Sequence, residues 1–399
     1  LGYGKREVIS VAAFGKSLRG FRVQAGMSLS RLSEAVHYSK GYLSNIETGR
    51  KTPTKELARA CDNVLHARGE LISACHLDVA AARGANPWQT AELLRRVQAS
   101  DTAPGTLMSL EATVFELCCQ YVCRDAGELR AEAQGWLRHV AALLRRPTGL
   151  QAHRELLVSA GWLALLIGCL EYDLGMRAAA EATRVAARQL GEEAGQSEIV
   201  GWTYELSAWF ALTQSRYADA ITSARAGQAT DRDHSVVVQL IGQEAKALAR
   251  MGNISDVRST LDRGRRVLDQ FPVPSRTEHH FIVDPAKWDF YAMDAYRLAG
   301  DDDRAEQYAR EVIAQGTAPD GTELSPMRMA EARLTLGVVA ARRDELELAV
   351  AAGVSALTPS RQSLPSLLMV AGELDGELSQ RFPGEPATRD FREALRLLR

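Results

Sequence analysis

Lysine is scarce in this chain of 399 residues, with seven against 41 arginines. Five of the seven (Lys5, Lys16, Lys40, Lys51 and Lys55) fall within the first 55 positions. Asparagine is scarcer, occurring only at 45, 63, 86 and 253. The six cysteines, at 61, 75, 118, 119, 123 and 169, form no CxxC and no zinc spacing. They read as reduced core thiols of a cytoplasmic protein, with Cys119 and Cys123 on one helix face. The longest uncharged apolar run, from Leu156 to Leu170, has 15 residues. A bilayer needs roughly 20, so no membrane partner is expected, and no secretory signal opens the sequence. No nucleophile elbow, phosphate loop or zincin motif is present, so the sequence suggests neither an enzyme nor a bound cofactor or metal.

Net charge is also nearly absent, at −2, but the balance hides an asymmetry. Residues 1–84 carry 13 Lys+Arg against 7 Asp+Glu, a net of +6, and residues 85–399 carry 35 against 43, a net of −8. A basic module on an acidic body suggests that the module binds a polyanion. Strand-like alternation is rare, and Ala, Leu, Arg and Glu dominate, so the expected fold is all-α. The punctuation predicts a tail over 1–10, five short helices over 11–78, a linker over 79–105 rich in turn residues, and long paired helices over 106–399.

Within the basic module, Phe14, Leu18 and Phe21 share one helix face, and Gly26 suits a left-handed helix end. Ser28 is placed to cap a second helix burying Leu32 and Val36, and Ser39 a third burying Leu43 and Ile46. Gly49 ends the third, and Pro53-Thr54 begins a fourth with Leu57, Cys61 and Leu65 inward. The phrase Tyr42-Leu-Ser-Asn-Ile-Glu-Thr-Gly-Arg50, followed by Pro53, resembles the hallmark of the XRE (Cro/cI-type) helix-turn-helix family. The resemblance implies a lambda-repressor-like five-helix domain that binds double-stranded DNA.

Ser39, Lys40, Ser44 and Asn45 lie outward on the third helix and are candidates for base contacts, with Lys40 suited to guanine and Asn45 to adenine. Ser28, Ser30, Arg31, Tyr42, Thr48, Arg50 and Lys51 are candidates for the DNA backbone. Arg22 and Glu47 match the family's structural ion pair. Three positions depart from the family pattern. Leu29 stands where a phosphate-contacting Gln is common, Ser33 where Ala is usual, and His37 where the turn usually has Gly.

The helix pairs recur at intervals of about 38–48 residues. The pattern is a small residue late in the first helix, a turn residue, then a small residue early in the second, with Met293 and Val257 as larger substitutes. Gly168, Gly175 and Ala180 make one such set. Ala245, Gly252 and Val257 follow it, then Met293, Gly300 and Ala305, then Gly337, Asp344 and Ala349, with Ser207, Tyr217 and Ala220 as a looser unit. The phasing resembles tetratricopeptide (TPR) repeats and implies a TPR-like α-solenoid.

Bacterial regulators of this architecture lead one to expect a homodimer on a palindromic operator, sensing a small molecule or peptide. A nucleoid-associated cytoplasmic location follows. The alternative is an adaptor whose repeats bind another protein while the N-terminal domain tethers it to DNA. In such regulators asparagine side chains tend to hold an extended peptide, so their scarcity here favours a small molecule or a short peptide end. The expected groove includes Trp162, Tyr172, Tyr204, Lys246, Phe290, Asp294 and Arg297. Three prolines between Phe271 and Pro285 forbid helix there, and His279 and His280 read as surface-loop histidines.

Overall fold

A computed structural model describes residues 13–51, 53–72, 74–75, 104–146, 148–359 and 361–398. The chain divides into two compact units, 1–99 and 100–399. The expected tail over 1–10 and most of the expected linker lie outside the described residues.

The first unit holds α1 (Ala13–Gln24), α2 (Leu29–Val36), α3 (Lys40–Glu47) and α4 (Lys55–Val64), with helical backbone resuming at Glu70. Serine and threonine set the starts. The hydroxyls of Ser28, Ser39 and Thr54 each accept the amide N–H three residues on, at 3.2 Å. Phe14, Leu18, Leu32, Leu43, Ile46 and Leu57 are all fully buried in one apolar core.

The second unit is built of helical hairpins. A leading pair, α5 (Pro104–Gln120) and α6 (Ala126–Leu144), precedes six more. These are α7 (Leu150–Asp173) with α8 (Arg177–Ala194), α9 (Ser197–Thr213) with α10 (Tyr217–Thr230), and α11 (Val236–Arg250) with α12 (Ile254–Leu268). Then come α13 (Pro285–Ala299) with α14 (Asp302–Gln315), α15 (Pro326–Arg342) with α16 (Leu346–Leu357), and α17 (Leu364–Arg381) with α18 (Pro386–Leu397). Helix α5 ends at Gln120, so Cys123 lies in the following turn and does not share a helix face with Cys119. The only β feature among the described residues is an isolated bridge between Thr317 and Glu323.

The repeat has a structural signature. Gly175, Ser215, Gly252, Gly300 and Asp344 end their first helices with φ of 75, 60, 76, 75 and 63°. Each N–H returns to the carbonyl three residues back, and the next N–H reaches five back, as in Gly175 to Tyr172 at 2.9 Å and Met176 to Glu171 at 2.8 Å. This is a Schellman-type helix end, which requires a left-handed residue. In the looser unit the left-handed turn residue is Ser215, two positions before Tyr217. Five residues further on, Ala180, Ala220, Val257, Ala305 and Ala349 are fully buried where the paired helices cross.

First helices stack on first helices from α7 to α17, and α17 returns to touch α7 and α9. Trp209 Nε1 donates to Ser366 Oγ at 2.9 Å across that closure, and Arg361 pairs with Asp173 at 2.8 Å. The solenoid therefore closes around its own concave side. By length and composition α7 could cross a membrane, but 78% of its most apolar window is buried inside the protein. Its apolarity is accounted for by its place at the centre of the array.

Candidate nucleic-acid interface and ligand cavity

Helix α3 is fixed from two sides. Leu43 and Ile46 anchor it in the core. At its C-terminal end the Arg22 guanidinium grips Glu47 through two bonds, Nε to Oε1 at 2.6 Å and a second nitrogen to Oε2 at 2.9 Å. The remaining Arg22 nitrogen donates to the Met27 carbonyl at 3.0 Å. One side chain thus ties α1, the turn before α2, and α3 together. Gly15 completes the junction, because a Cβ there would sit 2.3 Å from the Ile46 carbonyl oxygen. Only glycine lets α1 approach the end of α3 this closely.

The outward face of α3 is polar. Ser39, Lys40 and Ser44 are exposed, and Asn45 is half-buried. The Ser39 oxygen caps the helix, which leaves its O–H and a second lone pair available. Tyr42 stacks on Tyr38 with centroids 5.6 Å apart, and Lys51 Nζ lies 5.4 Å from the Tyr42 ring. The Thr48 hydroxyl donates to the Ser44 carbonyl at 2.8 Å. Arg50 is exposed and its amide bonds the Asn45 carbonyl at 2.8 Å. Arg31 and Ser28 are exposed at the start of α2, and Ser30 is half-buried.

Two of the departures from the family pattern sit together. His37 takes the left-handed conformation, φ 56°, which disfavours a side chain. The Ser33 hydroxyl donates to the Tyr38 carbonyl at 2.5 Å, bridging the same turn.

The concave side of the second unit, where the ligand groove is expected, is largely packed with aromatic side chains and keeps separate cavities. His279 and His280 do not belong to a surface loop. His279 packs on Phe115 at 4.4 Å and His280 on Tyr121 at 3.7 Å between centroids. Phe281 lies between Trp162 and Trp202, at 5.4 and 5.2 Å. Lys287 Nζ secures the segment by donating to the His280 and Ile282 carbonyls at 2.5 and 3.2 Å. Burial lowers the His279 pKa to about 4 and the Lys287 pKa to about 7. Pro272 and Pro274 keep the start of this segment out of helix, the third proline, Pro285, opens α13, and aromatic packing seats His279 to Phe281 in the array.

The seven expected groove residues separate. Lys246 and Phe290 line a cavity of about 100 Å³ at the centre of the unit. Trp162 lines a second cavity, of about 600 Å³, with Phe115 and Phe281 in its walls. Tyr172, Asp294 and Arg297 are fully buried and line neither cavity. Tyr172 stacks on Phe210 at 3.9 Å. Asp294 pairs with Arg250 at 2.9 Å, with Lys246 at 3.3 Å and with Arg297. Glu373 completes the network at 2.9 Å from both arginines. Tyr204 lies under the Arg188 guanidinium at 4.9 Å, toward α8.

The helix-turn-helix domain family matches residues 13–74. Residues 13–74 are a helix-turn-helix domain. Transcriptional regulator ClgR of Mycobacterium tuberculosis is 46% identical over 55 residues, in both the CDC 1551/Oshkosh and H37Rv strains. The match covers 14% of this chain and 45% of ClgR, so the chain spans less than half the length of these relatives. Bacillus thuringiensis PlcR, in its crystal structure with the peptide PapR7 and DNA, aligns with a TM-score of 0.35 and 13% identity over 65% of this chain and 95% of that one.

Two positions of the helix-turn-helix domain escaped the sequence reading. Gly15 is one, and its spacing from Glu47 carries no local signal. Asp62 is the other. Its buried carboxylate accepts the Gly69 amide at 2.9 Å and the Leu71 amide at 3.1 Å, capping the helical turn that resumes at Glu70. An acidic residue late in one helix and a glycine seven residues on would have been the clue.

Proposed function

We propose that this protein is a sequence-specific DNA-binding transcription regulator whose repeat unit senses an effector. The observation that carries the reading is α3, which has an apolar face locked in the core, an end clamped by Arg22, and an outward row of short polar side chains. Such a helix fits the major groove. In this reading Ser39, Lys40, Ser44 and Asn45 contact bases, and Ser28, Ser30, Arg31, Tyr42, Thr48, Arg50 and Lys51 hold the DNA backbone. Two copies act as a homodimer on a palindromic operator with half-sites about 34 Å apart. The work is done on the nucleoid in the cytoplasm. The 46% identity to part of a protein named a transcriptional regulator supports the assignment. The adaptor reading needs an open groove for a protein, and Phe281 and its neighbours occupy that space.

The test is selection of genomic DNA fragments by the full-length protein. A reproducible motif with two-fold symmetry is expected, with affinity falling steeply as salt rises. Equal retention of all fragments would refute the reading. Light scattering of the complex tests the dimer.

A further inference from the structure

The central cavity of the repeat unit is a polar site with unmade bonds. Five successive first helices wall it, through Glu205 on α9, Gln239 and Gln243 on α11, Lys287 on α13, Arg328 and Glu331 on α15, and Ser366 on α17. One carboxylate oxygen of Glu205 accepts from both glutamine amides, at 2.8 and 2.7 Å. That fixes each amide, because the reverse orientation would set two carbonyl oxygens against a carboxylate. The two glutamine carbonyl oxygens are then buried without a partner. Glu331 Oε2 and Ser363 Oγ, in the same wall, are also buried and unpartnered. An unmade buried bond costs about 1–3 kcal/mol, and an apolar lining would have avoided the cost. A wall kept only for stability has no reason to gather these groups.

The cations sort differently. Lys246 is held by Asp294 at 3.3 Å, and Lys287 is occupied by two loop carbonyls. Arg328 makes no ion pair among the described residues, and burial holds its pKa below the usual arginine value. The cavity therefore offers unpartnered acceptors and one guanidinium that has no ion-pair contact among the described residues, Asp284 acting on it only at longer range. Its volume of about 100 Å³ suits a molecule of roughly four to six non-hydrogen atoms, since a cavity of about 150 Å³ takes benzene. An apolar effector would leave every one of these groups unpaired.

We infer that the cavity binds a small zwitterion of the α-amino-acid class, its carboxylate on Arg328 and its ammonium on the Gln239, Gln243 and Glu331 oxygens. This rests on the regulator reading only in taking the cavity as the effector site.

Calorimetric titration of the full-length protein with each free α-amino acid, its carboxamide and its N-acetyl derivative tests the assignment. At least one amino acid should bind saturably at one site per chain. Its carboxamide and N-acetyl forms should each bind about ten- to a hundredfold more weakly, since each loses one charge-assisted bond. Arg328→Met and Gln243→Leu should weaken the zwitterion in the same range. The derivatives are compared on the unaltered protein, so the test survives a variant that fails to fold. The assignment is overturned if no amino acid binds, or if the carboxamide and N-acetyl forms bind as well as the parent. Fragment selection runs separately. A chain that selects DNA but binds no zwitterion loses this ligand class and keeps the regulator reading. One that binds the zwitterion without selecting DNA keeps the ligand and loses the regulator.

Discussion

The two units handle charge differently. The helix-turn-helix domain keeps an apolar core that admits the Asp62 carboxylate as a cap, and its described lysines, Lys16, Lys40, Lys51 and Lys55, are exposed. The repeat unit has exposed ion pairs too, but it also buries a charge network, gathering Asp294, Arg297, Arg250, Lys246 and the partly exposed Glu373. The difference matches the partners proposed for them. A polyanion is met on a surface, by cations it can neutralise. A small polar molecule is met in an interior, where each bond is stronger because water is excluded.

That contrast sets the order of the mutational effects. Asp294→Ala should be the most damaging change, because it takes the buried carboxylate from Lys246 and leaves Arg250 and Arg297 to share Glu373 alone. A loss of about 3–5 kcal/mol is expected in chemical denaturation. A melt unchanged from wild type would show the network to be dispensable. Glu47→Ala in the helix-turn-helix domain should cost less, about 1–3 kcal/mol, since Arg22 keeps its bond to Met27 and some access to water. Gly15→Ala should cost a similar 1–3 kcal/mol by pushing α1 away from the Ile46 carbonyl, with DNA affinity falling alongside stability. Normal DNA binding by the alanine variant would remove Gly15 from the account.

The smallest effect is on reactivity. Cys123 is the exposed thiol of the six. Burial pushes Cys61 up to about 12 and Cys119 to about 11. One fast-reacting thiol per chain is expected at mildly alkaline pH, and the others should react only on unfolding.

Much of the helix-turn-helix domain was legible because its signals are local. Ser28, Ser39 and Thr54 each cap the helix that begins beside them, and Gly26 and Gly49 each end one. The repeats were legible for the same reason, through the left-handed residues at 175, 252, 300 and 344. The cavity was not. It is assembled from Glu205, Gln239, Arg328 and Ser366, which only the curvature of the whole array brings together. Curvature accumulates from small rotations between neighbours and is written in no single repeat. Asp294 and Arg297 read as ligand-groove residues because α13 alone does not reveal that Glu373 of α17 reaches Arg297. The segment from 271 to 278 is largely exposed, but 279–284 packs inward, because prolines announce the absence of helix and not the presence of packing.

The central claim is that α3 reads bases while the residues after it hold the backbone. The direct measurement is the base-preference profile of the full-length protein, obtained by selection from random DNA, for wild type, Asn45→Ala and Arg50→Ala. Asn45→Ala should relax preference at one position per half-site and cost about 1–3 kcal/mol there. Arg50→Ala should leave the profile intact, weaken all sequences alike and flatten the salt dependence. Identical profiles and identical losses for the two variants would contradict the account.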